Sequence, residues 1–142
     1  MRRPEIAADV TPQNVGFGLT QLFPVLVEVL GASPGDVVIV ENPEVHLHPK
    51  AQQDIGELLA LVASSGVQVI LETHSDHVLN GIRLAVKGRR SVEPPQVEIH
   101  FFSRDAEGAS RRLSPKIDAD GRLDAWPDGF FDQFDLALAA LM

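Results

Sequence analysis

Two short apolar runs constrain the fold of this chain more than any other feature. The first, Val37–Val40, is a continuous β-branched stretch, and the second, Val67–Leu71, is nearly as apolar. Such runs are typical of strands that are covered on both faces. Between them, Pro49 opens a segment with helical spacing. Its apolar positions are Ala51, Ile55, Leu58, Leu59 and Val62. The pattern predicts a strand, a helix and a second, parallel strand.

Two further helices flank this unit. Before the first strand, apolar residues again recur with helical spacing. They are Leu19, Leu22, Phe23, Leu26, Val27 and Leu30. Pro24 is expected near the first turn of this helix, where proline costs least. After the second strand, Ser75 can cap a third helix that runs from Asp76 to about Val86. The alternation predicts an α/β fold with a mainly parallel sheet flanked by helices.

The C-terminal part of the chain has a different pattern. The stretch "VEIHFF", residues 97–102, alternates apolar and polar side chains and is expected to form a third strand. The stretch "LSPKIDADGRLDAW", residues 113–126, predicts a hairpin that turns at Asp120 and Gly121. An aromatic segment and a short helix follow. These patterns divide the chain into a lead-in segment 1–13, a core 14–104 and a C-terminal hairpin and helix segment 105–142.

Composition narrows the class of protein. A length of 142 residues suggests one domain, and the absence of cysteine removes disulfides and thiolate metal sites. We expect a cytoplasmic protein, because no apolar run approaches the ~18 residues needed to cross a bilayer and no signal peptide is visible. The net charge of −8 repels nucleic acid on average, so the composition does not favour DNA as a partner.

The most polar points of the chain follow the two predicted strands. In parallel sheets the carboxyl ends of the strands meet at one edge, where ligands bind, so we expect these side chains to share a crevice. Glu41 can hold magnesium there, directly or through water. A histidine from the neighbouring strand can contact a phosphate or a nucleophilic water. The residues concerned are Glu41, Asn42, Glu44, His46 and His48 after the first strand, and Glu72, Thr73, His74, Ser75, Asp76 and His77 after the second.

Three blocks of sequence follow one another along the chain: "NVGFGLTQ" at 14–21, "VVIVENPEVHLHP" at 37–49 and "VILETHSDHVL" at 69–79. They resemble the signature loop, the Walker B strand with its D-loop, and the switch-histidine strand of an ABC-type ATPase head. Such heads belong to AAA-family ATPases of the SMC-like, RecF-like and overcoming-lysogenization-defect-like kind. The tail "GRLDAWPDGFFDQ", residues 121–133, is similar to a C-terminal domain of unknown function in a subset of bacterial ATPases.

The resemblance covers residues 14 to 134 and implies half of a P-loop NTPase that uses ATP and Mg²⁺. Heads of this kind act in DNA repair, chromosome handling or antiphage defence. By position, Glu41 falls where the Walker B acid supports Mg²⁺. Asn42 falls where the catalytic carboxylate usually stands. His74 falls on the switch histidine, which senses the γ-phosphate.

Two further parts of the site are implied to work across a dimer. Pro43–Pro49 falls on the D-loop, which crosses to the partner subunit and carries His46 and His48 as candidate nucleotide-binding residues. The signature loop offers backbone N–H groups and a helix N-terminus to the γ-phosphate held by the other subunit. Its residues are Gly16, Gly18 and Thr20.

The sequence departs from the family pattern in two ways. Asn42 cannot accept a proton, so either Glu44 or His74 takes over as the base, or hydrolysis is slow. A P-loop ends in Gly-Lys-Ser/Thr, whereas the three lysines are followed by alanine, glycine and isoleucine. We therefore expect half of a nucleotide-binding head, inactive alone, that self-associates or binds a partner chain carrying the P-loop. An engineered fragment, a truncated gene and a split protein all stay open.

Two other functions fit parts of the pattern. A metal-dependent hydrolase using zinc or manganese would draw its ligands from a set of histidines and one acid. That set is His46, His48, His74, Asp76 and His77. A partner-binding module without chemistry of its own is the other alternative, in which the acids at the strand ends are solvated turn residues.

Overall fold

The computed structural model describes residues 16–88 and 92–142, so the predicted lead-in segment 1–13 lies outside the described residues. Its elements are α1 Phe17–Gly31, β1 Val37–Glu41, α2 Pro49–Ser64, β2 Gln68–Glu72, α3 Asp76–Lys87, β3 Phe101–Arg104, β4 Ser110–Leu113 and α4 Gln133–Leu141. The predicted α/β class is confirmed, with a parallel pair of strands flanked by helices and a C-terminal antiparallel hairpin. Within these ranges no helix has both the length and the apolar character needed to cross a membrane.

A single core joins the parallel strands to three helices. β1 and β2 pair in a register that runs from Val37 opposite Gln68 to Glu41 opposite Glu72. Alternate residues of each strand point into this core, and α1, α2 and α3 supply the rest. Its members include Val38 and Val40 of β1, Val69 and Leu71 of β2, Val29 of α1, Ile55 and Leu59 of α2, and Val78 of α3.

The other face of the sheet is open, so the prediction that both strands are covered on both faces is wrong for the described residues. Val37, Ile39 and Ile70 are 56%, 66% and 48% exposed. An unbroken β-branched run provides apolar side chains for two faces, because successive residues of a strand point in opposite directions. The helices of this chain that pack on the strands cover only one of those faces.

The position of Pro24 differs from the prediction. α1 begins at Phe17, directly after the left-handed Gly16 with φ of 100°, and Pro24 therefore lies in the helix interior. The prediction rested on the general cost of proline inside a helix. The apolar spacing from Leu19 onward already placed Pro24 beyond the first turn, and the structure agrees with the spacing.

α2 and α3 cross with their backbones in close contact, and two glycines permit it. A Cβ atom on Gly56 would lie 2.2 Å from the carbonyl oxygen of Val78, and one on Gly81 would lie 2.1 Å from that of Gln53. The helices would have to separate to admit either atom. The crossing therefore holds the start of α3, and the residues between β2 and α3, against α2.

The C-terminal strands form their own hairpin rather than extending the parallel sheet. β3 pairs with β4 in antiparallel fashion, from Phe101 opposite Leu113 to Arg104 opposite Ser110. The predicted third strand at 97–102 thus begins later, at Phe101, and pairs with β4, a strand that the sequence patterns did not indicate. Asp105 is the local reason, since its carboxylate accepts backbone hydrogen bonds from Glu107 and Ala109 and closes the turn.

The second predicted turn, at Asp120 and Gly121, is present, although its flanks meet only at a single bridge between Ile117 and Leu123. Arg83 of α3 connects this turn to the part of the chain that contains β1 and β2. Its Nε donates to the carbonyl oxygen of Gly121 at 2.7 Å, and its guanidinium lies 5.7 Å from the ring centroid of Trp126. A second core cluster, which includes Ala85, Val86, Val92 and Ile117, completes the contact.

Replacing Gly81 with alanine is expected to lower the free energy of unfolding by about 1–3 kcal/mol, because the new methyl group meets the backbone of α2. In a helix without such a contact, alanine is more stable than glycine by about 1 kcal/mol, so the sign of the change is diagnostic. Urea denaturation followed by circular dichroism measures it. Gly31→Ala is the control, since a Cβ there meets nothing within 4 Å. Equal or greater stability of Gly81→Ala would contradict the close crossing.

Candidate functional site

The carboxyl ends of β1 and β2 lie side by side. Glu41 and Glu72 are register partners at the last position of each strand. The backbone N–H of Asn42 donates to the Glu72 carbonyl oxygen at 2.9 Å, which extends the ladder by one residue. The two strand ends expected from the sequence to meet therefore do so, and Glu41, Asn42 and His74 all lie beside them.

Glu72 connects the two strand ends through its side chain. The amide Nδ2 of Asn42 donates to Glu72 Oε2 at 2.8 Å, while Nε2 of His74 lies 3.1 Å from Glu72 Oε1. Asn42 adopts a left-handed backbone conformation, with φ of 48°, which asparagine tolerates better than most residues. The sequence places Glu72 at the end of the second strand but indicates no role for it. Nothing in the sequence indicated that its carboxylate would bridge Asn42 and His74.

Glu44 holds the segment after β2. Its Oε2 accepts a hydrogen bond from Thr73 Oγ1 and its Oε1 accepts one from the backbone N–H of His74, both at 2.8 Å. Both carboxylate oxygens are thus engaged, and they determine where the backbone of His74 lies. Hydrogen bonds to a carboxylate are among the stronger ones in proteins, so the segment after β1 and the segment after β2 are expected to move together.

Gln52 of α2 makes a second connection that the sequence did not signal. Its Nε2 donates to the carbonyl oxygen of Leu47 at 2.9 Å, and its Oε1 accepts from Ser75 Oγ at 2.6 Å. Ser75 is buried and caps α3 as predicted, because its Oγ accepts from the backbone N–H of Val78 at 3.2 Å. One amide therefore joins the D-loop to the start of α3.

The signature segment packs on the D-loop of the same chain. The rings of Phe17 and His46 meet edge to face, with centroids 4.7 Å apart. A Cβ on Gly18 would lie 2.5 Å from the His46 carbonyl oxygen, so only glycine fits there. Thr20 Oγ1 donates to the carbonyl oxygen of Gly16 at 3.3 Å. The predicted signature residues and the D-loop are thus brought together within one subunit.

The predicted zinc or manganese set is not assembled. His46 packs on Phe17, and His48 Nδ1 accepts from the backbone N–H of Lys50 and caps α2. His77 lies beside Asp76 at 3.8 Å, on α3, while His74 faces Glu72. Within residues 16–88 and 92–142, no three histidine, aspartate or glutamate side chains form a group that could hold a metal ion.

Glu41 suits the one-carboxylate binding mode of magnesium. Its side chain is exposed and makes no hydrogen bond or ion pair with another described residue. Magnesium keeps several waters and takes one or two carboxylates together with substrate phosphates. A free carboxylate at the end of a strand fits that mode.

Lys50 is the lysine nearest the two strand ends in sequence, but its side chain does not contact them. It donates a hydrogen bond to Asp54 on the exposed face of α2. That hydrogen bond is the main reason why the pKa of Lys50 lies above its usual value. The ammonium group of Lys50 is therefore paired on the exposed face of α2 and not at the strand ends.

Comparison with known proteins agrees with this geometry. Residues 3–80, more than half of the chain, match the family described as an AAA domain, putative AbiEii toxin of a type IV toxin–antitoxin system. Residues 92–141 match a second family, a protein of unknown function, DUF3696. The resemblance to an ATPase with a C-terminal domain of unknown function is therefore confirmed.

A curated relative points the same way. The Old nuclease of Escherichia phage P2 is 39% identical over 44 residues, which cover 31% of this chain and 8% of the relative. The chain thus spans a small part of that protein's length. No solved structure gave a significant match. The paired strand ends agree with the family matches, which identify the chain as a member of the AAA domain family, followed by a DUF3696 domain.

Proposed function

We propose that this chain is the Walker B, D-loop and switch-histidine portion of an AAA-family ATPase, and that it hydrolyses ATP only when a P-loop completes the site. One observation carries the proposal: Glu41, Asn42, Glu72 and His74 lie together at the carboxyl ends of two parallel strands. In open α/β sheets, this is where ligands bind. Antiphage defence or DNA repair, which the resemblance implies, is the setting that we propose.

Each residue has a role in this proposal. Glu41, with a carboxylate free of other described partners, supports Mg²⁺. His74 directs its exposed ring toward the γ-phosphate, while Glu44 accepts a hydrogen bond from its backbone N–H and holds it in place. The D-loop, locked to α3 through Gln52, carries the contact to a second subunit. Mg-ATP, when bound, supplies the phosphoryl group.

The phosphate-cradling half must come from elsewhere. A P-loop needs a lysine followed by serine or threonine after a glycine-rich turn, and none of the three lysines of this sequence stands in that context. The backbone N–H groups and the lysine that hold the β- and γ-phosphates are therefore supplied by another segment. The chain alone is a half-site.

A groove along the free edge of β1 is the surface that we propose for that segment. It has a volume of about 370 Å³. Val37–Glu41 line one side of it, and Pro24, Val25, Glu28 and Val29 of α1 line the other. In the part of the chain that the structure describes, β1 pairs with β2 alone.

The chemistry of the groove favours one occupant. The unused N–H and C=O groups of β1 can pair with an added strand, and the apolar walls suit its alternating side chains. Glu28 and Glu41 place two carboxylates in the lining, which favours a segment that carries a basic residue. We propose that the strand leading into the P-loop, with its lysine, adds to this edge.

Calorimetric titration with Mg-ATP tests the half-site. The purified chain is expected to show no saturable binding up to about 1 mM, the upper end of usual KM values. The natural assembly that contains it is expected to bind and hydrolyse Mg-ATP. Glu41→Ala should reduce that binding at least ~10-fold, the scale for groups that support a metal. Glu107→Ala, an exposed acid in the β3–β4 turn, is the matched control. Robust turnover by the chain alone, lost in Glu41→Ala, would contradict the proposal.

Photo-crosslinking tests the occupant of the groove. A benzoyl-phenylalanine in place of Ile39, which is 66% exposed on β1, should capture a polypeptide with a Gly-x-x-x-x-Gly-Lys-Ser/Thr motif. The same group in place of Leu61, 50% exposed on α2, should not capture it. Mass spectrometry of the crosslinked peptides identifies the product. A crosslink to a second copy of this chain would show self-association instead, and no crosslink at position 39 would also argue against the proposal.

A further inference from the structure

We propose that Glu72 is the catalytic carboxylate of this ATPase, in the place that Asn42 leaves without a base. The inference rests on the ATPase function proposed above. The reaction is the transfer of the γ-phosphoryl group of ATP to water. The bond between the γ-phosphorus and the bridging oxygen breaks, and a bond from the water oxygen to phosphorus forms. Glu72 accepts the proton that the water loses and later releases it to solvent, with ADP and inorganic phosphate as products.

The location of the carboxylate supports this role. The family pattern puts the catalytic acid directly after the residue that supports magnesium, which is the position of Asn42. An amide oxygen accepts hydrogen bonds but does not take up a proton at neutral pH. Glu72 Oε2 lies 2.8 Å from the side-chain amide nitrogen of Asn42. Glu72 therefore places a carboxylate next to the position where Asn42 has only an amide. Its origin on the neighbouring strand follows from the register, in which Glu72 is the partner of Glu41.

The surroundings of Glu72 orient it for the task. Asn42 Nδ2 donates to one oxygen, and Nε2 of His74 lies 3.1 Å from the other. Two partners on different oxygens restrict rotation of the carboxylate, and each oxygen keeps a lone pair for water. The side chain is 52% exposed, which leaves a path for the attacking water. Asn42 and His74 act here as positioning residues for Glu72.

Glu44 is the competing carboxylate, and its contacts favour a different role. Its two oxygens accept from Thr73 Oγ1 and from the backbone N–H of His74. Both partners belong to the segment that follows β2, so Glu44 faces the backbone and sets the position of His74. A base in that place would give up the hydrogen bonds that hold the segment. Glu44 is therefore a positioning residue.

ATP turnover and Mg-ATP binding by the natural assembly test the assignment. Glu72→Gln is expected to lower kcat by ~10²–10⁴-fold, the usual contribution of a general base. The affinity for Mg-ATP should stay within about threefold, because the base acts on water rather than on the nucleotide. Retained binding and an unchanged thermal unfolding curve also show that the variant is folded.

A double substitution provides the decisive control. Asn42→Asp combined with Glu72→Gln exchanges the amide and the carboxylate across the same 2.8 Å hydrogen bond. Aspartate also tolerates the left-handed backbone of position 42. The exchange should recover turnover by at least ~10-fold over Glu72→Gln, since it returns a carboxylate to the site. A purely structural role of Glu72 would instead leave kcat nearly unchanged in Glu72→Gln alone, because the glutamine oxygen still accepts the hydrogen bond from Asn42.

Different outcomes separate the two proposals. If the natural assembly does not hydrolyse Mg-ATP, the proposed function fails and this inference fails with it, and a partner-binding module is favoured. If turnover depends on Glu41 but Glu72→Gln keeps kcat within about threefold of the natural protein, the function stands and this inference is overturned. A loss of kcat confined to Glu44→Gln would assign the base to Glu44 instead.

Discussion

The in-register parallel pairing of β1 with β2 is the constraint on which the rest of this structure depends. Because Glu41 stands opposite Glu72, every residue that follows either strand is placed within reach of residues that follow the other. A shift of one residue would turn these side chains to the other face of the sheet. The register is held by the alternation of buried residues in both strands and by the close crossing of α2 and α3.

The D-loop is the most constrained segment of the site. Asn42 and His46 both have positive φ, and the chain between them turns back on itself. Such backbone is costly unless the surroundings hold it. Glu44 binds the segment after β2, and Gln52 binds both the end of the loop and the cap of α3. The signature segment closes on it through Phe17 and Gly18. The loop is therefore a junction between α1, α2 and α3.

An open sheet face and a free strand edge stand beside this ordered site. Apolar side chains such as Ile39 are exposed on a strand whose composition suits burial. Burying each such side chain is worth about 1.5–3 kcal/mol, so an added strand or layer would gain from this surface. The proposed function has the same character, because it assigns magnesium support to Glu41 and γ-phosphate contact to His74 and takes the P-loop from another segment.

The sequence by itself determined the order of the elements from α1 to α3, the ends of α2 and α3, and the meeting of the two polar clusters. These depend on local signals: β-branched runs, Pro49, the Ser75 cap and the rule that parallel strands end at one edge. It did not place Pro24 in the interior of α1, because the general cost of proline inside a helix favoured the first turn. The sequence pattern also predicted a strand from residue 97, whereas β3 begins at Phe101. Alternation marks residues that suit a strand, but it does not show which of them find a pairing partner.

The tertiary structure alone decided which polar groups contact one another. Glu72 and Gln52 look ordinary in the sequence, yet one bridges Asn42 and His74 and the other joins the D-loop to α3. Glu44, a candidate base because Asn42 cannot accept a proton, faces Thr73 and the backbone of His74. Side-chain hydrogen bonds across 23 to 30 residues of sequence depend on register and helix crossing. Local patterns carry no information about either, so only the folded chain could distinguish these three carboxylate and amide groups.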